Sequence, residues 1–232
     1  MLKNTFPFLD KDLNFNSQKH EYTYKSDKYI SVTGWLNSFE PPFNPYEISK
    51  QVSKNPNSEY YKMDPSVIRK LWQGTAARGT KCHHDIEQWI TGERKMCKYT
   101  EFLKELGIKA SCSWSEVPLV SRQLKLAGTA DIISYDKKND KYIIWDIKTT
   151  KKITPDVIKK FSKQIFIYCI ILRQMTENKI KIIPGGIISI KPSKFLSEGL
   201  LSEFDEPEFI DIDMSIANDL RYMIKRRLNE IK

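Results

Sequence analysis

The spacing of hydrophobic positions changes along the chain, and each change marks an element. From Asp64-Pro65 onward Val67, Ile68, Leu71 and Trp72 recur at helical spacing. A second helical stretch is predicted over residues 78–90, stopped by Thr91-Gly92, so two helices precede the sheet. The period then shortens. Residues 116–120 read as a strand; residues 130–135 and 142–147 read as two more, joined by the polar cluster Lys137-Lys138-Asn139-Asp140 in the manner of a β-hairpin. In Thr154-Pro155-Asp156 an N-cap, a proline at the first helical position and an acid near the positive helix end start a helix that runs to Met175. Its Val157, Ile158, Phe161, Ile165, Cys169 and Leu172 keep the 3.6 period and form a core face. Residues 180–183 and 187–190, on either side of Pro184-Gly185-Gly186, are predicted as two further strands. A last helix, capped by Ser215, carries Ile216, Leu220, Met223 and Leu228.

Helices, strands, a helix, strands and a helix make an α/β fold with a mixed central β-sheet flanked by helices. Residues 1–58 are rich in Asn, Ser, Lys and aromatics and show only one β-like run, at 29–33. They are expected to form an N-terminal extension or lid on a main unit of residues 59–232. At 232 residues and 40% hydrophobic the chain can bury a core without metal or disulfide staples, which excludes global disorder. The longest apolar run, residues 165–172, is far below the roughly 20 residues that span a bilayer, and no cleavable signal is legible at the amino terminus. We expect an intracellular protein with no membrane partner. Its four cysteines form no CxxC pair, so reduced structural thiols are expected. Lys and Arg number 38 against 29 Asp and Glu, a formal charge of +9 that favours polyanionic partners.

Candidate chemistry sits in the hairpin. Pairing symmetric about its turn sets Asp136 opposite Lys141 and therefore Asp131 opposite Asp146. Carboxylates facing each other with Cβ atoms roughly 4.5–5.5 Å apart are destabilising unless something neutralises them, and a divalent cation does so. Lys148, two residues beyond Asp146, lies on the same strand face. Two acids and a lysine at one spot suit metal-assisted phosphodiester hydrolysis. On the preceding helix His83 and Glu87, four residues apart, share a face and form a metal half-site, while His84 points to the surface.

These residues resemble the PD-(D/E)xK nuclease superfamily, in its RecB-like exonuclease branch, which includes phage, viral and mitochondrial genome maintenance exonucleases. Residues 78–87, Arg-Gly-Thr-Lys-Cys-His-His-Asp-Ile-Glu, are similar to the branch's RGTxxHxxIE helix, and residues 128–131, Gly-Thr-Ala-Asp, to its GxxD strand. Asp146-Ile147-Lys148 resembles the DxK strand, and Gln164 with Tyr168 the QxxxY helix. The resemblance spans residues 65–190. It implies a restriction-endonuclease-like αβββαβ core, Mg²⁺ or Mn²⁺ held by His83, Asp131, Asp146 and the backbone carbonyl of Ile147, and Lys148 as the catalytic lysine. Glu87 would hold a second metal, orient a ligand or support the helix. Gln164 and Tyr168 would orient the lysine or contact DNA, and Glu116 sits where relatives carry a strand glutamate.

The scattered cysteines argue against the iron–sulfur cluster some relatives hold, and the lack of a Gly-rich phosphate loop argues against a bound nucleotide. Before the motif helix Tyr61, Trp72 and Arg78 interleave rings with charge, as single-stranded substrates require, and core packing competes with that role for Tyr61 and Trp72. Lys151 and Lys152 after the catalytic strand, with Lys159, Lys160 and Lys163 on the next helix, are candidate phosphate contacts. The expected substrate is DNA, single-stranded or flapped, in replication, recombination or repair. The alternatives are an RNA endonuclease of the same fold or a catalytically inactive nucleic-acid-binding module. The resemblance allows a cytoplasmic or nucleoid-associated protein of viral or phage origin, and no oligomer interface is legible.

Overall fold

The polar cluster at 137–140 does close a hairpin. Asp136 accepts hydrogen bonds from the backbone N–H groups of Lys138 (3.0 Å) and Asn139 (3.3 Å), which bends the chain locally. Strands β5 (Leu126–Asp136) and β6 (Lys141–Lys148) leave it antiparallel, in register from Asp136↔Lys141 to Ile132↔Trp145. This computed structural model describes residues 5–16, 19, 21–93, 98–150, 153–190 and 207–231.

The sheet grows outward from that pair. Strand β4 (Ser113–Ser121) runs antiparallel along one edge of β5. On the other edge β5 has two neighbours: β3 (Asp27–Ser31) pairs in parallel with Leu126 and Ala127, and β6 covers Ile132–Asp136. Residues 128–131 lie in the gap between them. The hairpin of β1 (Leu13–Asn16) and β2 (Glu21–Tyr24) extends the sheet beyond β3, while β7 (Lys181–Ser189), parallel to β6, and β8 (Glu208–Ile210) extend it the other way. Residues 1–58, expected as an extension or lid, thus give three strands and helix α1 (Val32–Asn37) to the central architecture; helix α2 (Pro45–Lys54) follows.

Helices cover both faces. Ile132, Trp145 and Ile147 point toward Cys82, Ile86 and Trp89 of α3 (Pro65–Thr91) and Leu103 of α4 (Lys98–Glu105). Ile133 and Ile144 point the other way, toward Ile165, Cys169 and Leu172 of α5 (Pro155–Met175), with α6 (Ala217–Ile231) supplying Leu220 and Met223. Side chains alternate along β6, so Asp146 and Lys148 share the α5 face with Ile144, while Asp131, beyond the last β5–β6 pair, reaches His83 of α3. This is the predicted mixed sheet flanked by helices. Among the described residues no helix is long and apolar enough to cross a membrane.

Three elements differ from expectation. The two helices before the sheet are one 27-residue helix, α3, capped by the Asp64 carboxylate on Ser66 N–H and ended by Gly92 at φ 78°. Its internal glycines cost about 1 kcal/mol each relative to alanine, too little to interrupt a helix anchored by buried Ile68, Cys82 and Ile86. Residues 181–189 form one strand: the pairing with β6 slips between Ile144 and Asp146, so Pro184-Gly185-Gly186 is absorbed as an irregularity and does not break the strand. A Cβ on Gly185 would come within 2.7 Å of the Trp145 ring, so the glycine lets that indole lie against the backbone. The last helix is preceded by a 3₁₀ turn, and it is this turn that is capped, by Asp213, which accepts from Ser215 N–H at 2.8 Å; Ser215 lies inside the turn.

Candidate active site

Where the ladder between β5 and β6 ends, a side chain continues it. Asp131 Oδ2 accepts the Ile147 N–H at 2.7 Å, so the carboxylate takes the place of a strand partner in the gap between β3 and β6. Asp146, across the hairpin, is 2% exposed, and burial pushes its carboxyl up to about 7 against the opposing pull of Lys148. Lys148 Nζ lies 2.7 Å from both Asp146 oxygens and donates to Oδ1; buried Oδ2 has no hydrogen-bond partner. Burial would lower the lysine, but Asp146 and Asp131 outweigh it and raise it. The ammonium also stands 4.6 Å from the centre of the Phe161 ring on α5, which helps fix its position.

His83 and Glu116 complete the group. Glu116 lies in β4 between the pairs Ser115↔Ile132 and Val117↔Ala130, hence beside Asp131, and its backbone has φ 48°. A left-handed residue inside a strand costs about 1–3 kcal/mol and is held by its surroundings. Here the Glu116 carboxylate stands 3.1 Å from His83 Nδ1, and Asp131 Oδ1 stands 3.7 Å from the same nitrogen. Burial alone would lower the imidazole, yet the charges of Asp131 and Glu116 push it up to about 9. Glu116, Asp131 and Asp146 therefore form a row of acids across three adjacent strands, with one imidazole from α3 above it.

The other predicted residues divide. Gln164 and Tyr168 on α5 are both buried and both line the cleft with His83, Glu116 and Asp131, a space of about 600 Å³. Glu87 also lines it but turns to His84, whose Nδ1 is 3.5 Å away, rather than to His83. Ile147 supplies its N–H to Asp131. Trp72 packs among Phe43 and Tyr60, with ring centres 5.7 and 6.0 Å away, and exposed Tyr61 carries Lys62 over its ring. Arg78 donates to Thr75 Oγ1 at 2.9 Å. Trp72, Tyr61 and Arg78 are outside the set of cleft-lining residues, and Lys151 and Lys152 lie outside the described residues. Lys160 and Lys163 pair with Glu40 (2.7 Å) and Asp219 (3.3 Å).

Sequence reasoning missed Phe15, Tyr22 and Thr33, which also line the cleft. The signal was the alternation of rings at Phe15, Tyr22 and Tyr24, weak because each strand is only four residues long.

Residues 48–227 match the family model of the PD-(D/E)XK nuclease superfamily. The chain belongs to that superfamily. No curated protein matches it. Membership in the PD-(D/E)XK superfamily implies a hydrolase acting on nucleic acid, and such nucleases typically use divalent metals. The residues fit a hard divalent cation. Among the described residues His83, Glu116 and Asp131 offer ligand atoms all within 4.8 Å of one another, and Asp146, ion-paired with Lys148, is a further buried carboxylate near enough for their charges to act on it. A cation at His83 would displace the proton that the two carboxylates hold there.

Proposed function

We propose that this PD-(D/E)XK protein is a Mg²⁺- or Mn²⁺-dependent deoxyribonuclease of the RecB-like exonuclease branch, acting on single-stranded ends or flaps in replication, recombination or repair, inside the cell. The observation that carries the reading is the clustering of His83, Glu116 and Asp131 in a cleft lined also by Gln164 and Tyr168, with the buried Asp146–Lys148 pair behind it, near enough for its charges and theirs to act on one another. His83, Glu116, Asp131 and Asp146 would hold the cation, with the Ile147 carbonyl as a further oxygen. When bound, it would polarise the phosphoryl oxygen and acidify water. Lys148 places a fixed positive charge where negative charge develops on the phosphate, and Phe161 and Asp146 keep it from swinging into solvent. Buried Tyr168, partnered by the Gln164 side chain, lines the wall against which the sugar–phosphate chain would lie. Glu87, which faces His84 in the cleft lining, is outside the group of ligand atoms and would not hold the cation directly.

The testing experiment is cleavage of labelled single-stranded, double-stranded and flapped DNA and of RNA, with Mg²⁺ or Mn²⁺, beside Lys148→Ala. Metal-dependent cleavage of single-stranded or flapped DNA, slowed about 10²–10³-fold in the variant, supports the proposal. Cleavage of RNA alone replaces the substrate assignment. Tight binding without cleavage of any substrate replaces it with a binding module.

A further inference from the structure

Lys148 and the proposed cation compete for one carboxylate. The ammonium stands 2.7 Å from both oxygens of Asp146, its one hydrogen-bond acceptor among the described residues. A divalent cation drawn to Asp146 sets like charge against that ammonium and weakens the carboxylate's hold on it. Lysine carries three N–H donors and no acceptor, so a buried ammonium that gives up its partner needs another oxygen within reach.

Strand β7 supplies that oxygen. In the parallel β6–β7 ladder Lys148 is paired with Ser189, and the Ile190 N–H closes the pairing by donating to the Lys148 carbonyl at 2.8 Å. Ile188 and Ile190 face α3 and Ile187 faces α5, so Ser189 stands on the α5 face beside Lys148. Neighbouring strands lie roughly 4.8 Å apart, a span that the flexible four-carbon lysine stem covers. Ser189 is fully buried, and among the described residues its Oγ has no hydrogen-bond partner. An interior hydroxyl in that condition is a cost that alanine would avoid, which calls for a role in another state of the protein. A serine hydroxyl keeps its lone pairs whatever its hydrogen does. It therefore accepts from Lys148 whether or not it also donates toward Glu208, its neighbour in β8.

We infer that Ser189 is a second seat for the Lys148 ammonium, occupied when Asp146 turns to the cation. This rests on the nuclease reading above and adds to it the residue that holds the lysine while its carboxylate is shared. Without metal the lysine rests on Asp146. With metal, Ser189 accepts one of its N–H groups and keeps the positive charge buried beside the Phe161 ring. Ser189 is a positioning residue, acting on the reaction only through Lys148.

The test compares Ser189→Ala with the native chain, repeats the comparison in the Lys148→Ala background, and adds a crystal structure of the native protein with Ca²⁺ alone. The metal-free melting temperature of Ser189→Ala should stay level or rise, because the deleted hydroxyl had no partner, and this verifies the fold. Its Mn²⁺-induced rise should be smaller than the native one. On the best-cleaved labelled strand kcat should fall about 10-fold, the scale of one hydrogen bond to a charged group, with KM within about 2-fold. In the Lys148→Ala background the same substitution should cost nothing further. In the Ca²⁺-bound structure Lys148 Nζ is expected about 3 Å from Ser189 Oγ. Native kcat in Ser189→Ala, an equal loss in the Lys148→Ala background, or an ammonium still held by Asp146 alone in the Ca²⁺-bound protein overturns the second seat and leaves the nuclease reading standing. Absence of metal-dependent cleavage by the native protein removes both.

Discussion

Asp146 and Glu116 carry charge for different reasons, and substitutions separate them. Asp146 is buried with Lys148 Nζ 2.7 Å from both of its oxygens, so its carboxylate is maintained at a desolvation cost that the lysine or a bound cation offsets. Asp146→Asn removes that charge without touching the exposed cationic surface. It should lower the cleavage rate at least about 10²-fold while strand affinity, read by fluorescence anisotropy, stays within a few-fold. Glu116 and Glu87 both line the cleft, but only Glu116 reaches His83. Glu116→Gln is therefore expected to shrink the Mn²⁺-induced rise in melting temperature, and Glu87→Gln to leave it nearly intact; the reverse order would move the ligand role to the helix. Here the sequence was legible up to a point. Asp131, Asp146 and Lys148 were readable because a hairpin's register follows from its turn. The helical spacing of His83 and Glu87 said which side chains share a face but not which neighbour each one meets, and no local pattern announces a glutamate at φ 48° in a strand.

At the level of elements, close approach decides which glycines can change. A Cβ on Gly128 would stand 2.7 Å from Tyr168 Cε1 and 2.8 Å from its hydroxyl oxygen. Tyr168 is 4% exposed on α5 and has little room to yield. Gly128→Ala should destabilise the protein by about 1–3 kcal/mol in urea unfolding and, by displacing the ring that lines the cleft, slow cleavage as well. Gly74 lies inside α3, where the nearest atom to an added Cβ is Arg78 Nη1 at 4.0 Å. Gly74→Ala should stabilise by up to about 1 kcal/mol, because alanine is the better helix former and meets nothing. The same glycine explains why the sequence suggested two helices where one exists: composition weakens the middle of α3, and packing at its ends overrides the weakness. Strand β3 was recognised as a run of β-formers, yet its parallel seat beside Leu126 and Ala127 is a contact between residues some hundred positions apart, which local periodicity does not encode. Helix α5 was fully legible, since cap, proline and apolar stripe agree.

For the molecule as a whole, the formal charge of +9 and the acid row create opposing fields, and salt distinguishes them. The row of Glu116, Asp131 and Asp146 repels a phosphate until a cation is present, whereas the net positive charge draws a strand in from a distance comparable with the Debye length, about 10 Å at 0.1 M salt. Affinity for single-stranded DNA should therefore fall linearly on a logarithmic salt plot, with a slope of about −0.7 for every phosphate neutralised. Positive charge that already has a partner contributes less to that slope. Lys160 and Lys163 are held by Glu40 and Asp219, so Lys160→Ala and Lys163→Ala should each change the slope by much less than 0.7, the amount for one phosphate contact, although both lysines decorate the helix that follows β6. Titrations of the native chain and these two variants across a range of KCl concentrations measure this directly. A slope that drops by a full contact in either variant would show that the bound strand breaks the ion pair and uses the lysine. A flat plot for the native chain would mean that the excess charge serves something other than holding a polyanion.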